Sequence, residues 1–97
     1  MLGLQLAPIN RQTRVRYDLA EDATGALVVG IQSGSLAADL GFKPGDIIVK
    51  VGDKTVLSPL DVTEGVRQAG DADRKAVLLL VQRQGNGHFV GVPLPKS

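Results

Sequence analysis

The sequence predicts a mainly β domain with two or three short helices, an α+β arrangement whose strands form a small, partly open β-barrel. Three observations carry that prediction. Short apolar runs rich in valine, leucine and isoleucine recur along the chain, separated by turns marked with glycine and proline. Few stretches place apolar residues at helical spacing. The chain has 97 residues, 43% of them hydrophobic, enough for one modest core and a single domain over residues 1–97.

The elements follow from the residues in order. Residues 1–9 alternate, with Leu2, Leu4 and Leu6 set against Gly3 and Gln5, and predict a strand ending at Pro8. Asn10 is placed to cap a short helix reaching Tyr17 or Leu19, with Val15 and Leu19 as its buried face. Residues 21–25 read as a polar loop. Residues 26–32 are almost wholly apolar, so this strand is expected to be buried on both faces. Ser33-Gly34-Ser35 turns the chain. Ser35 then caps a helix in which Leu36, Ala37 and Leu40 recur at helical spacing. Gly41 supplies a left-handed stop, and Pro44-Gly45 sets a turn that Asp46 can brace by hydrogen-bonding its backbone. Ile47, Ile48, Val49 and Val51 form a β-branched strand.

Gly52-Asp53-Lys54 leads into a short fourth strand, residues 55–57. Ser58-Pro59 opens a helix, the cap residue first and proline at the first helical position. Asp61 and Glu64 near its start suit the helix dipole. Val62, Val66 and Ala69 share one face, and Gly70 is expected to end the helix. Gly65 costs about 1 kcal/mol against alanine inside a helix, which points to close packing or to room for a ligand. Residues 76–81 form a long apolar strand continued by Gln82-Arg83-Gln84. Gly85-Asn86-Gly87 reads as a hairpin turn, and residues 88–94 return as the last strand.

Composition narrows the function classes. The formal net charge is +1, and the densest basic cluster is Arg11, Arg14 and Arg16, read as a solvated helix face. Neither feature supports binding to nucleic acid. No segment has the apolar length of a membrane span, so no membrane insertion is expected. The absence of cysteine removes disulfide frameworks and thiolate metal sites. His88 is the sole histidine and sits beside a glycine-rich turn. Ser33, Ser35, Ser58 and Ser97 have turn, capping or tail positions, and none lies in a Gly-x-Ser-x-Gly elbow. A nucleophile needs a base and an orienting group within reach, and no such set is visible. Asp18, Glu21 and Asp22 lack the alternating spacing of a calcium loop. No catalytic residue, metal site or cofactor is expected. No leader is visible, and the apolar start at Leu2-Gly3-Leu4 suggests a domain cut from a longer protein.

The stretch from Leu36 to Gly52, with Ala37-Ala38-Asp39-Leu40-Gly41-Phe42 followed by Pro44-Gly45-Asp46-Ile47-Ile48, resembles the signature of the PDZ domain. The strand that heads the chain and the one that closes it give the permuted strand order of bacterial PDZ domains. Asp61-Val62-Thr63-Glu64-Gly65-Val66-Arg67 is similar to the helix of HtrA/Do-type serine proteases. The closing strands, residues 77–85 and 88–94, look like the last hairpin of the C-terminal PDZ domain in that family. The resemblance implies a non-catalytic peptide-binding module of a periplasmic serine endopeptidase. It would recruit unfolded or C-terminal segments, with its own protease domain and neighbouring subunits as further partners. An assembly or regulatory role without free ligand is an alternative. So is the PDZ domain of another envelope protein, such as a site-2-type metalloprotease.

The resemblance also places a site. Leu2, Gly3 and Leu4 stand where the family carries a loop whose main-chain amides hold a peptide's terminal carboxylate. Leu4, Gln5 and Leu6 would offer their strand edge to the incoming peptide. The helix over residues 58–70 would form the opposite wall, with Pro59, Thr63, Val66 and Arg67 toward the ligand and Val66 between the two faces. Pro59 or Leu60 occupies the region where eukaryotic members often carry histidine. An apolar C-terminal ligand residue is therefore expected.

Overall fold

The structure, a computed structural model, describes residues 3–94. Its element order is β1 (Leu4–Pro8), α1 (Arg11–Arg16), β2 (Ala26–Ile31), α2 (Leu36–Asp39), β3 (Ile47–Val51), β4 (Lys54–Thr55), α3 (Pro59–Asp71), β5 (Ala76–Arg83) and β6 (Asn86–Pro93). The six strands form one antiparallel sheet in the order β1-β2-β3-β5-β6, with β4 paired to β3. The sheet does not close: β1 and β6 are its two ends. The order of elements and the mainly β class agree with the sequence reading.

The main core lies between the sheet and the helices α2 and α3. Leu4, Val28, Ile48, Leu79, Val81 and Val92 are buried there, with Val62, Val66 and Ala69 contributed by α3. A smaller cluster of Ala23, Leu27 and Ile47 forms elsewhere, packed with Tyr17, Leu19 and Val29. Successive strand residues point to opposite faces, so Leu27 and Val28 enter different clusters. The unbroken apolar run of β2 is thus explained, since its first three residues are all buried.

Five local expectations need correction. Val15 is 78% exposed rather than buried. The helix α1 ends at Arg16, and Asp18 adopts φ 53°, so the four-residue spacing from Val15 to Leu19 does not stay on one helix face. Tyr17 and Leu19 take the apolar seats instead. Arg14 is half-buried and donates from Nη2 to the Ala23 carbonyl at 3.1 Å, so the basic cluster is not wholly a solvated face.

Ser58 occupies the N-cap position of α3 without a side-chain cap bond. Asp61, three residues on, reaches back and accepts from the Leu57 N–H at 2.8 Å. That is half of a capping box, shifted one residue outward. The helix also runs past Gly70 to Asp71, and Asp73 supplies the left-handed turn, with φ 60°. The β5–β6 turn is the pair Gln84-Gly85, both with positive φ, closed by the Arg83–Asn86 pair. It is therefore a two-residue turn, one position earlier than expected.

Candidate functional site

The free edge of β1 faces no strand. β1 pairs with β2 on one side, and among the described residues nothing extends the sheet on the other. Half of the N–H and C=O groups of such a strand point away from the ladder. α3 packs over β1, β2, β3 and β5, so it lies beside that open edge. The β1 backbone and α3 are therefore neighbours in space.

Gly3 fixes the head of β1. Its φ is 85°, a left-handed conformation that side chains resist, and a β-carbon there would overlap the Ser35 side chain. Its carbonyl accepts from the Gln32 N–H at 2.8 Å. Ser35 in turn caps α2, accepting from the Ala38 N–H at 3.2 Å. The start of β1 is thus seated on the N-terminus of α2. Leu2, expected to share this loop, lies outside the described residues.

Along β1, Leu4 is buried in the main core and Leu6 packs against it half-buried. Gln5 is exposed on the other face, where its side chain lies over Gly30 of β2. The strand shifts register against β2 between Gln5 and Leu6. Such a bulge bends a strand and raises its local twist.

On α3, Pro59 is half-buried at the first helical position, and Thr63 and Arg67 are exposed. Val66 is only 8% exposed and belongs to the core, so it does not divide itself between two faces. Arg67 is held by Glu64 at 2.7 Å and Asp71 at 3.1 Å. The hydrogen bond that Arg67 donates to Glu64, with both carboxylates' charges, pushes its pKa above the ordinary guanidinium value. Its charge is therefore satisfied within the helix. Gly65 lies against Val51 of β3, where a β-carbon would sit 2.8 Å from Val51 Cγ1. Close packing is the reason for this glycine.

The structure brings Gly3, Leu4, Gln5 and Leu6 together on one edge and puts Pro59, Thr63, Val66 and Arg67 on the helix beside it. The seating of Gly3 on Ser35 was not legible in the sequence. Thirty-two positions separate the two, and serine at a cap gives no sign of what lies over it. His88 is exposed on β6. Among the described residues no three histidine, aspartate or glutamate side chains group as metal ligands, and no helix is long and apolar enough to cross a membrane.

An open antiparallel sheet with a helix along its free edge strand is the architecture of a PDZ domain, and the PDZ domain family model matches residues 27–83. The chain belongs to that family. It is 38% identical over 78 residues, 80% of its length, to the "Probable periplasmic serine endoprotease DegP-like" of Bartonella henselae, covering 16% of that protein. It is 36% identical over 86 residues, 89% of its length, to serine protease HTRA1 of Xenopus tropicalis, covering 18% of it. The chain thus spans less than a fifth of these curated relatives. Among solved structures, the HtrA3 PDZ domain bound to a phage-derived ligand (FGRWV) superposes with a TM-score of 0.74 at 22% identity, covering 96% of this chain and 82% of that one. The HtrA-type protease AlgW with a decapeptide gives 0.71 at 19% identity, covering 96% and 28%. At these identities the structural likeness speaks to the fold.

Proposed function

We propose that the chain is the peptide-binding module of a periplasmic HtrA/Do-type serine endopeptidase, recruiting substrate segments by β-strand addition along β1. The observation that carries this reading is the unpaired β1 edge lying beside α3. In this reading the main-chain amides of Leu2, Gly3 and Leu4 hold a terminal carboxylate, a small nest of converging donors. The backbone of Leu4, Gln5 and Leu6 supplies the ladder. Pro59, Thr63 and Arg67 border the side-chain pocket, Val66 having turned into the core, and the apolar character of Pro59 favours an apolar ligand end. Support comes from the relatives, which are named serine proteases, and from the two superposed structures, each holding a peptide. The domain does no chemistry in this scheme. Cleavage would belong to a protease domain elsewhere in the parent chain.

Short peptides are expected to bind weakly, at micromolar or worse, since a micromolar constant already needs about −8 kcal/mol against the cost of ordering the chain. The test is a titration of labelled protein with the pentapeptide FGRWV and with its C-terminal amide. Shifts in the Gly3–Leu6 amides with the free acid, weakened by amidation, support the reading. Unmoved amides at millimolar peptide overturn it.

A second reading, contact with neighbouring subunits, is favoured by Leu78 and Phe89, which stand 53% and 66% exposed on β5 and β6. Changing both to serine and measuring the size of the parent assembly tests it. A smaller assembly supports that reading, and an unchanged one removes it.

A further inference from the structure

We infer that Gly65 is a positioning residue that sets the width of the cleft between α3 and β1. The inference rests on the peptide-binding reading of that cleft.

Two faces of α3 are fixed by what they touch. Val62, Val66 and Ala69 point into the core. Gly65 points to one side of that stripe, onto β3, where a β-carbon would meet Val51 Cγ1 at 2.8 Å and Val51 Cβ at 3.0 Å. With 3.6 residues per turn, Pro59 and Thr63 fall on the other side of the stripe, across the helix from Gly65. The glycine therefore sits on the flank remote from Thr63. Its missing side chain lets α3 lie hard against Val51. Anything larger there must push the helix away from β3, toward the flank that carries Pro59 and Thr63.

The sequence supports a purpose for this contact. Glycine within a helix is unfavourable, yet it stands near the middle of α3, the longest helix among the described residues. Helix stability alone would favour alanine. The contact with Val51 is what alanine would lose, and with it the seating of one cleft wall.

Three variants test the inference against FGRWV and the same peptide ending in alanine, FGRWA. Gly65→Ala is expected to weaken FGRWV about tenfold, a size typical of one methylene of misfit in a pocket, and FGRWA by less. The preference for valine over alanine then falls. Adding Val51→Ala to Gly65→Ala makes room on β3 and restores most of that preference. Val51→Ile presses on the same contact from the sheet side and is expected to lower the preference without touching the helix. It supplies the same readout should Gly65→Ala fail to fold. A purely structural role would move the unfolding temperature but not the valine-to-alanine ratio. Unchanged ratios in Gly65→Ala and Val51→Ile, with wild-type binding intact, overturn the inference and leave the binding reading standing. Wild-type protein that binds neither peptide overturns both.

Discussion

Arg83 grips Asp46 with two parallel bonds. Nε reaches Oδ1 at 2.8 Å and Nη2 reaches Oδ2 at 2.8 Å, across thirty-seven positions of sequence. Asp46 is 2% exposed, and its Oδ2 also accepts from the Lys43 N–H at 3.0 Å. The same Nη2 donates to the Gly41 carbonyl at 2.9 Å. One guanidinium therefore ties the turn after α2 to the end of β5. The Asp46 carboxylate, through its hydrogen bond, holds the Arg83 pKa above its ordinary value. Forked pairs of this kind are strong and geometrically specific.

Arg83→Ala should cost about 2–3 kcal/mol, because it strands a buried carboxylate. The figure stays below that of a fully buried pair, since Arg83 is 38% exposed on its side chain and Lys43 keeps its bond. Arg83→Lys should recover only part, as an ammonium cannot reproduce the fork. The midpoint of urea unfolding measures both. An Arg83→Ala protein as stable as the parent would show that the pair contributes nothing net.

Leu78 and Leu79 are neighbours on β5 with opposite fates. Leu79 is fully buried and Leu78 is 53% exposed. Leu79→Ala should cost about 2–5 kcal/mol through the cavity it leaves. Leu78→Ala should stay within about 0.5 kcal/mol of the parent. Chemical denaturation of the two variants side by side checks the alternation, and equal losses would contradict it.

Gly3→Ala should lower stability by about 1–2 kcal/mol from its left-handed backbone alone. Overlap with Ser35 adds to this. Ser35→Gly in the same protein relieves the overlap but not the backbone strain, so only partial recovery is expected. Full recovery would place the whole cost in the side-chain contact. Thermal unfolding of the single and double variants separates the two.

Gln84 opens the β5–β6 hairpin with φ 52°, followed by Gly85 at 83°. Asparagine is favoured over glutamine at this position of such a turn. Gln84→Asn should raise stability by about 0.5 kcal/mol, roughly 2–4 °C in unfolding temperature for a domain of this size. A fall in temperature would mean that the Gln84 side chain has a role of its own.

Most of the fold was legible because its signals are local. The β-branched run at Ile47–Val51 and the stripe of Val62, Val66 and Ala69 landed where periodicity puts them. The turn role of Asp46 was also visible, since aspartate three residues after Lys43 is placed to brace that turn. Its partner Arg83 was not, because nothing local in β5 announces a residue thirty-seven positions away. Val15 misled because its spacing to Leu19 presumes a helix that the chain leaves at Arg16. Ser58 misled because it holds the cap position without a side-chain bond, while the Asp61 carboxylate is engaged by the Leu57 N–H just ahead of the helix. For the candidate site, residue type marked Gly3 and Gly65 as special. Only the coordinates identify Ser35 and Val51 as the neighbours that require them.

Pro8 closes β1, and proline carries no N–H. A visiting strand on the open side would therefore meet main-chain partners from Gly3 to Ala7, roughly 13 Å at the usual strand rise. That is a footprint of four or five residues. Discrimination along a longer stretch of polypeptide would have to come from surfaces beyond this ledge, or from several such domains acting on one chain.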